Sequence, residues 1–157
     1  MGKLVVSENV TLNGVVQDPA GDEGFRLGGW VGLIKDRPGV NQLALDDALG
    51  AEALLLGRRS YEWFAERWPA RTGELADRLN SLPKYVVSST LEDADWNNST
   101  VLKGDAVGEV AKGHALHVVK DVISFVQRDS FVDCLDGLLK LMQPHRVVAA
   151  QVSPVVR

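Results

Sequence analysis

Apolar strands alternating with helical stripes predict an α/β protein. Three observations carry this expectation. Residues 53–56 are wholly apolar and stop at Gly57, as a strand buried on both faces does. The stretch 60–68 then spaces Tyr61, Phe64 and Trp68 for one helix face. Residues 85–88 return as a second short strand, giving the order strand, helix, strand.

The remaining elements follow from local chemistry. Residues 4–7 read as the first strand, and 10–16 continue it after a break, with Asn13-Gly14 as a turn signal. Residues 17–29 are glycine-rich and acidic, a surface loop long enough to carry function. Asp36 precedes Arg37-Pro38, a helix start with proline in its first turn. Leu43, Leu45, Ala48 and Leu49 give that helix a partial stripe, and Gly50 ends it. Pro69 closes the helix 60–68, and Thr72 caps a short one running to Leu79. Residues 100–102, 116–119 and 122–126 read as extended, with a short helix from Asp105 to about Lys112. Asp129 or Ser130 caps a helix bearing Phe131, Leu135, Leu138, Leu139 and Met142, and 146–152 return as a strand.

Bulk composition narrows the function classes. The 157 residues suit one domain, 1–157, with a real core. A net charge of −4 argues against a general nucleic-acid binder and leaves room for a local basic pocket. The single Cys134 excludes an internal disulfide and suits a reducing cytoplasm. No apolar run approaches the roughly 18 residues of a membrane span, and the N-terminus lacks a signal-peptide pattern. His114, His117 and His145 have no cysteine or carboxylate partners at metal-ligand spacing, so no metal is expected. The expected partner is a small molecule, with neither nucleic acid nor membrane involved.

The chemistry concentrates at the end of the buried strand. Leu56-Gly57-Arg58-Arg59-Ser60 delivers a helix start with two cationic side chains beside it. Helix-start amides favour an anion, and guanidiniums recognise phosphate through paired hydrogen bonds. A plain helix start with two solvated arginines would be spelled the same way. Ser88, Ser89 and Thr90 offer hydroxyls at the end of the next strand, where a turn also favours them. In open α/β sheets ligands bind beyond the carboxyl ends of the strands, so the two segments can share one rim. Lys84 stands at the opposite end of its strand and falls outside that site.

These two segments, together with 3–14 and Gly28-Gly29-Trp30, resemble the dihydrofolate reductase-like fold, which implies three layers around a central mixed, mostly parallel sheet. They resemble most its branch related to the riboflavin-biosynthesis reductase domain. The resemblance covers roughly residues 3–110 and weakens beyond. It implies an NADPH-dependent reductase, similar to 5-amino-6-(5-phosphoribosylamino)uracil reductase, that transfers hydride to a heterocyclic substrate. It implies that Gly57, Arg58, Arg59 and Ser60 hold the phosphate side of NADPH, with Ser88, Ser89 and Thr90 on the adenosine side. Asn13 and Gly14 would lie near the nicotinamide, and Trp30 and Asn41 near the substrate. The branch also implies a homodimer. Trp30 reads equally well as a plug in the core.

The chain departs from the family in two places. Dihydrofolate reductases carry an acid early in the helix matching 38–49, whereas Pro38-Gly39-Val40-Asn41-Gln42 has none. Asp46 and Asp47 follow more than a turn later, where they are expected to face water. The strand 122–126 leads into Gln127-Arg128-Asp129-Ser130 instead of the family's pyrophosphate glycines. Both departures support the alternative of a catalytically degenerate nucleotide-binding domain with an altered C-terminal part.

Overall fold

The computed structural model describes residues 3–7, 9, 11, 13–34, 37–104, 121–125 and 147–148. They form an α/β fold on a six-stranded sheet. Its strands are β1 (Lys3–Ser7), β2 (Ala53–Gly57), β3 (Lys84–Val87), β4 (Ser99–Leu102), β5 (Asp121–Phe125) and β6 (Val147–Val148). The order across the sheet is β4-β3-β2-β5-β1-β6, and every described pairing is parallel. The expected antiparallel component of a mixed sheet is thus absent from the described residues. Helices α1 (Arg37–Gly50), α2 (Arg58–Arg67) and α3 (Glu74–Ser81) connect the strands, with a 3-10 turn at Trp30–Leu33.

β2 is central because its side chains leave no alternative. Ala53, Leu54, Leu55 and Leu56 are each 0% exposed, so both faces of the strand are covered. Successive strand residues point to opposite faces. Leu54 and Leu56 meet Ala48 of α1, Tyr61 and Phe64 of α2, Leu79 of α3, and Val86 of β3. Phe64 stacks on Trp68 and Trp96, and Tyr61 lies tilted against Trp96. The Tyr61 hydroxyl accepts the Trp96 amide at 2.8 Å, and Asn80 Oδ1 accepts the Trp96 indole N–H at 2.7 Å. Arg78 of α3 donates to the carbonyls of Ala48 and Ala51, binding α3 to the end of α1.

Several boundaries differ from the sequence expectation, each for a local reason. Residues 13–16 form no strand, because Thr11 closes a turn on itself. Its amide donates to the Val15 carbonyl, its hydroxyl accepts the Val15 amide, and the Gly14 amide donates to its carbonyl. Gly14 has φ +82°, which favours glycine. Helix α2 begins at Arg58, two residues before the expected start, so both arginines lie inside its first turn. Helix α3 takes Gly73 as its N-cap in place of the expected Thr72. The expected elements at 105–112, 116–119 and 129–142 lie outside the described residues, as do Asp36 and most of 146–152.

Lys84 is the side chain whose place in the fold was not foreseen. It begins β3 on the inward face it shares with Val86, and it is 0% exposed. Its ammonium donates to the carbonyls of Asn80 (3.0 Å), Leu82 (2.7 Å) and Asn97 (2.9 Å), and sits 4.3 Å from the Trp96 ring centre. Replacing it with methionine leaves these carbonyls without their donor, and Lys84→Met should cost about 3 kcal/mol in a denaturant melt. Burial pushes the ammonium down from its ordinary 10.5 to about 8. Between those values the unfolded chain holds a proton that the folded protein has released. Stability relative to Lys84→Met should therefore rise from pH 8 towards 10.5. A flat difference across that window would contradict this reading of the buried charge.

Candidate functional site

The parallel register sets the rim of the site. Gly57 pairs with Val87, so Arg58 and Ser88 each stand one residue past a paired end on adjacent strands. Adjacent strands run about 4.8 Å apart. Phe125 pairs with Leu56 on one side and Ser7 on the other, which brings the end of β1 to the same level. β5 enters between β2 and β1 from late in the chain. The strand order thus reverses at this rim, the position where open α/β sheets take ligands.

The start of α2 breaks the ordinary rules of helix design. Its N-cap is Gly57, which supplies no side-chain acceptor, and its first turn holds no acid. Two arginines stand where the helix dipole favours negative charge, at a cost of about 0.3–1 kcal/mol each. Gly57 has φ −74°, an angle open to any residue, so backbone conformation does not demand glycine there. Helix α3 shows the usual arrangement, with Glu74 and Asp77 in its first turn and Arg78 in its last. An anion at the start of α2 would meet the positive end of the helix and an exposed Arg59, with Arg58 engaged by Glu62. These residues fit the phosphate of a nucleotide.

The individual side chains occupy different states. Arg59 is exposed. Arg58 bonds Glu62 one turn further along, at 2.9 and 3.1 Å to its two oxygens. Ser60 is 3% exposed, one of the buried residues of α2 with Tyr61 and Phe64. Ser88 is also buried, and its Oγ accepts the amides of Thr90 (3.2 Å) and Leu91 (2.9 Å), leaving its proton to donate. Ser89 and Thr90 are exposed beside it. Of the expected rim, the register sets Arg58 and Ser88 side by side, while Ser60 is buried and Arg59, Ser89 and Thr90 are exposed.

The expected substrate side is less assembled. Asn13 and Gly14 are exposed in their turn, with Asn13 Oδ1 accepting the Thr11 hydroxyl at 2.6 Å. Asn41 is exposed on α1. Trp30 is 2% exposed, and its indole N–H donates to the Gln17 carbonyl at 3.4 Å. In this arrangement it fills space inside the loop.

Asp47 does not simply face water. Its Oδ2 accepts the Ser7 hydroxyl at 3.0 Å, which sets a carboxylate at the carboxyl end of β1. Asp46 stays exposed and accepts from Gln42.

The loop 17–29 is built around one carboxylate. Asp18 is 2% exposed, with φ +50°. Its carboxylate accepts the amides of Gly21 (2.9 Å), Glu23 (3.1 Å) and Phe25 (2.9 Å). A Cβ on Gly28 would lie 2.4 Å from Asp18 Oδ2, so glycine is required by that approach. Asp22 ties the loop to α2, accepting from Arg67 at 2.7 Å and from the Trp63 indole at 3.2 Å. The acidic, glycine-rich composition signalled a functional loop, and the structure shows a folded unit.

No protein-family model matches the sequence, and no curated protein matches it. Among solved structures, the chain is similar to a Shewanella sp. PV-4 protein provisionally named for riboflavin biosynthesis. The two share 18% identity with a TM-score of 0.54, over 80% of this chain and 64% of that one. The likeness is one of fold, and this chain spans less than two-thirds of that protein's length.

Asp18 yields a direct test of the loop. Burial alone would raise its carboxyl, but the amides of Glu23, Phe25, Gly21 and Asp22 outweigh that and hold it below its ordinary 3.8. Its contribution is therefore present above pH 3.8 and lost as pH falls through the lowered value. Asp18→Asn replaces one acceptor oxygen with a donor and should cost about 1–3 kcal/mol at neutral pH. The gap between wild type and variant should close on acidification, followed by near-ultraviolet circular dichroism. A gap that persists unchanged to pH 2 would refute the assignment.

Proposed function

We propose that this chain is an NADPH-dependent reductase of the dihydrofolate reductase and riboflavin-biosynthesis reductase type. The observation that carries the reading is the start of α2. It is an uncapped helix with two arginines in its first turn, at the rim where the strand order reverses. The likeness in fold to a protein provisionally named for riboflavin biosynthesis agrees with it. Arg58, Arg59 and the first-turn amides hold the phosphate end, with Ser88 and Ser89 beside the adenosine. Asn13 and Gly14 border the nicotinamide, whose hydride is the chemistry the cofactor supplies when bound. The substrate is a planar heterocycle, for which Asn41 is an exposed candidate on α1, while the buried Trp30 serves the packing of its loop.

One observation favours a second reading, a nucleotide-binding domain without turnover. The first turn of α1 holds no acid. Asp47 weighs against it, since Ser7 holds that carboxylate at the end of β1. Binding with no oxidation of NADPH by any pterin or ribosylaminopyrimidine would select the second reading.

The cofactor reading has a thermodynamic signature. NADPH should bind at least tenfold more tightly than NADH, because a charge-assisted hydrogen bond contributes about 1.5–3 kcal/mol. Raising ionic strength should weaken NADPH more than NADH, since the arginine–phosphate attraction is partly exposed and screened. Fluorescence titration of both cofactors across a salt series measures this. Equal affinities that stay equal at every salt concentration would rule out a 2′-phosphate pocket here.

A further inference from the structure

We draw no further inference here: the strongest candidate, the Asp47 carboxylate that Ser7 holds at the carboxyl end of β1, belongs to the site already described and would only restate the helix acid established for dihydrofolate reductases.

Discussion

The backbone of β2 finds its hydrogen-bond partners in β3 on one side and β5 on the other, while four consecutive apolar side chains fill both faces. Buried backbone groups must be paired, so a strand covered on every side cannot slip without losing ladder bonds. Everything at the site inherits its position from this strand. Its last residue, Gly57, is also the N-cap of α2, with no loop between sheet and helix. The first turn of α2 is therefore placed by the register of the sheet. Ser88 follows from the same register through Val87, and Ser7 through Phe125.

Against that rigid frame the charge pattern at the start of α2 is informative. A sequence under selection for stability alone would place an acid or a capping side chain there, as α3 places Glu74 and Asp77. Local departures from good helix design are the places where function is expected. Two arginines follow an N-cap that supplies no side-chain acceptor, and an anion is the group that this pattern would favour. The buried ammonium of Lys84 lies at the other end of β3 and serves the fold, joining α3 to the segment before β4.

Much of this was legible in the sequence. The run Ala53–Leu56 announced a central strand because only a strand buried on both faces is apolar throughout. Arg58 and Ser88 were assigned one rim because parallel strands end together. The start of α2 was placed two residues late, because Gly57 gives no cap signal and arginines were read as preceding the helix. The Arg58–Glu62 pair has the four-residue spacing of neighbours on one helix face. Asp47 was expected to face water, since nothing in α1 alone shows that Ser7 lies across from it. Lys84 was less accessible. Strand alternation with Val86 turns it inward, but its three carbonyl partners come from α3 and from Asn97, which only the folded chain brings together. Asp18 shows the same limit, since its partners are backbone amides with no spelling of their own.

The central claim is that the start of α2 is an anion site. Amide chemical shifts in a ¹⁵N-labelled sample, titrated with adenosine 2′-phosphate, test it without reference to turnover. The account predicts saturable shifts at Arg58, Arg59 and Ser60, accompanied by Ser88 and Ser89, with none at the acidic start of α3. Shifts confined to other segments, or none at Arg58–Ser60 when the ligand is in large excess, would contradict it.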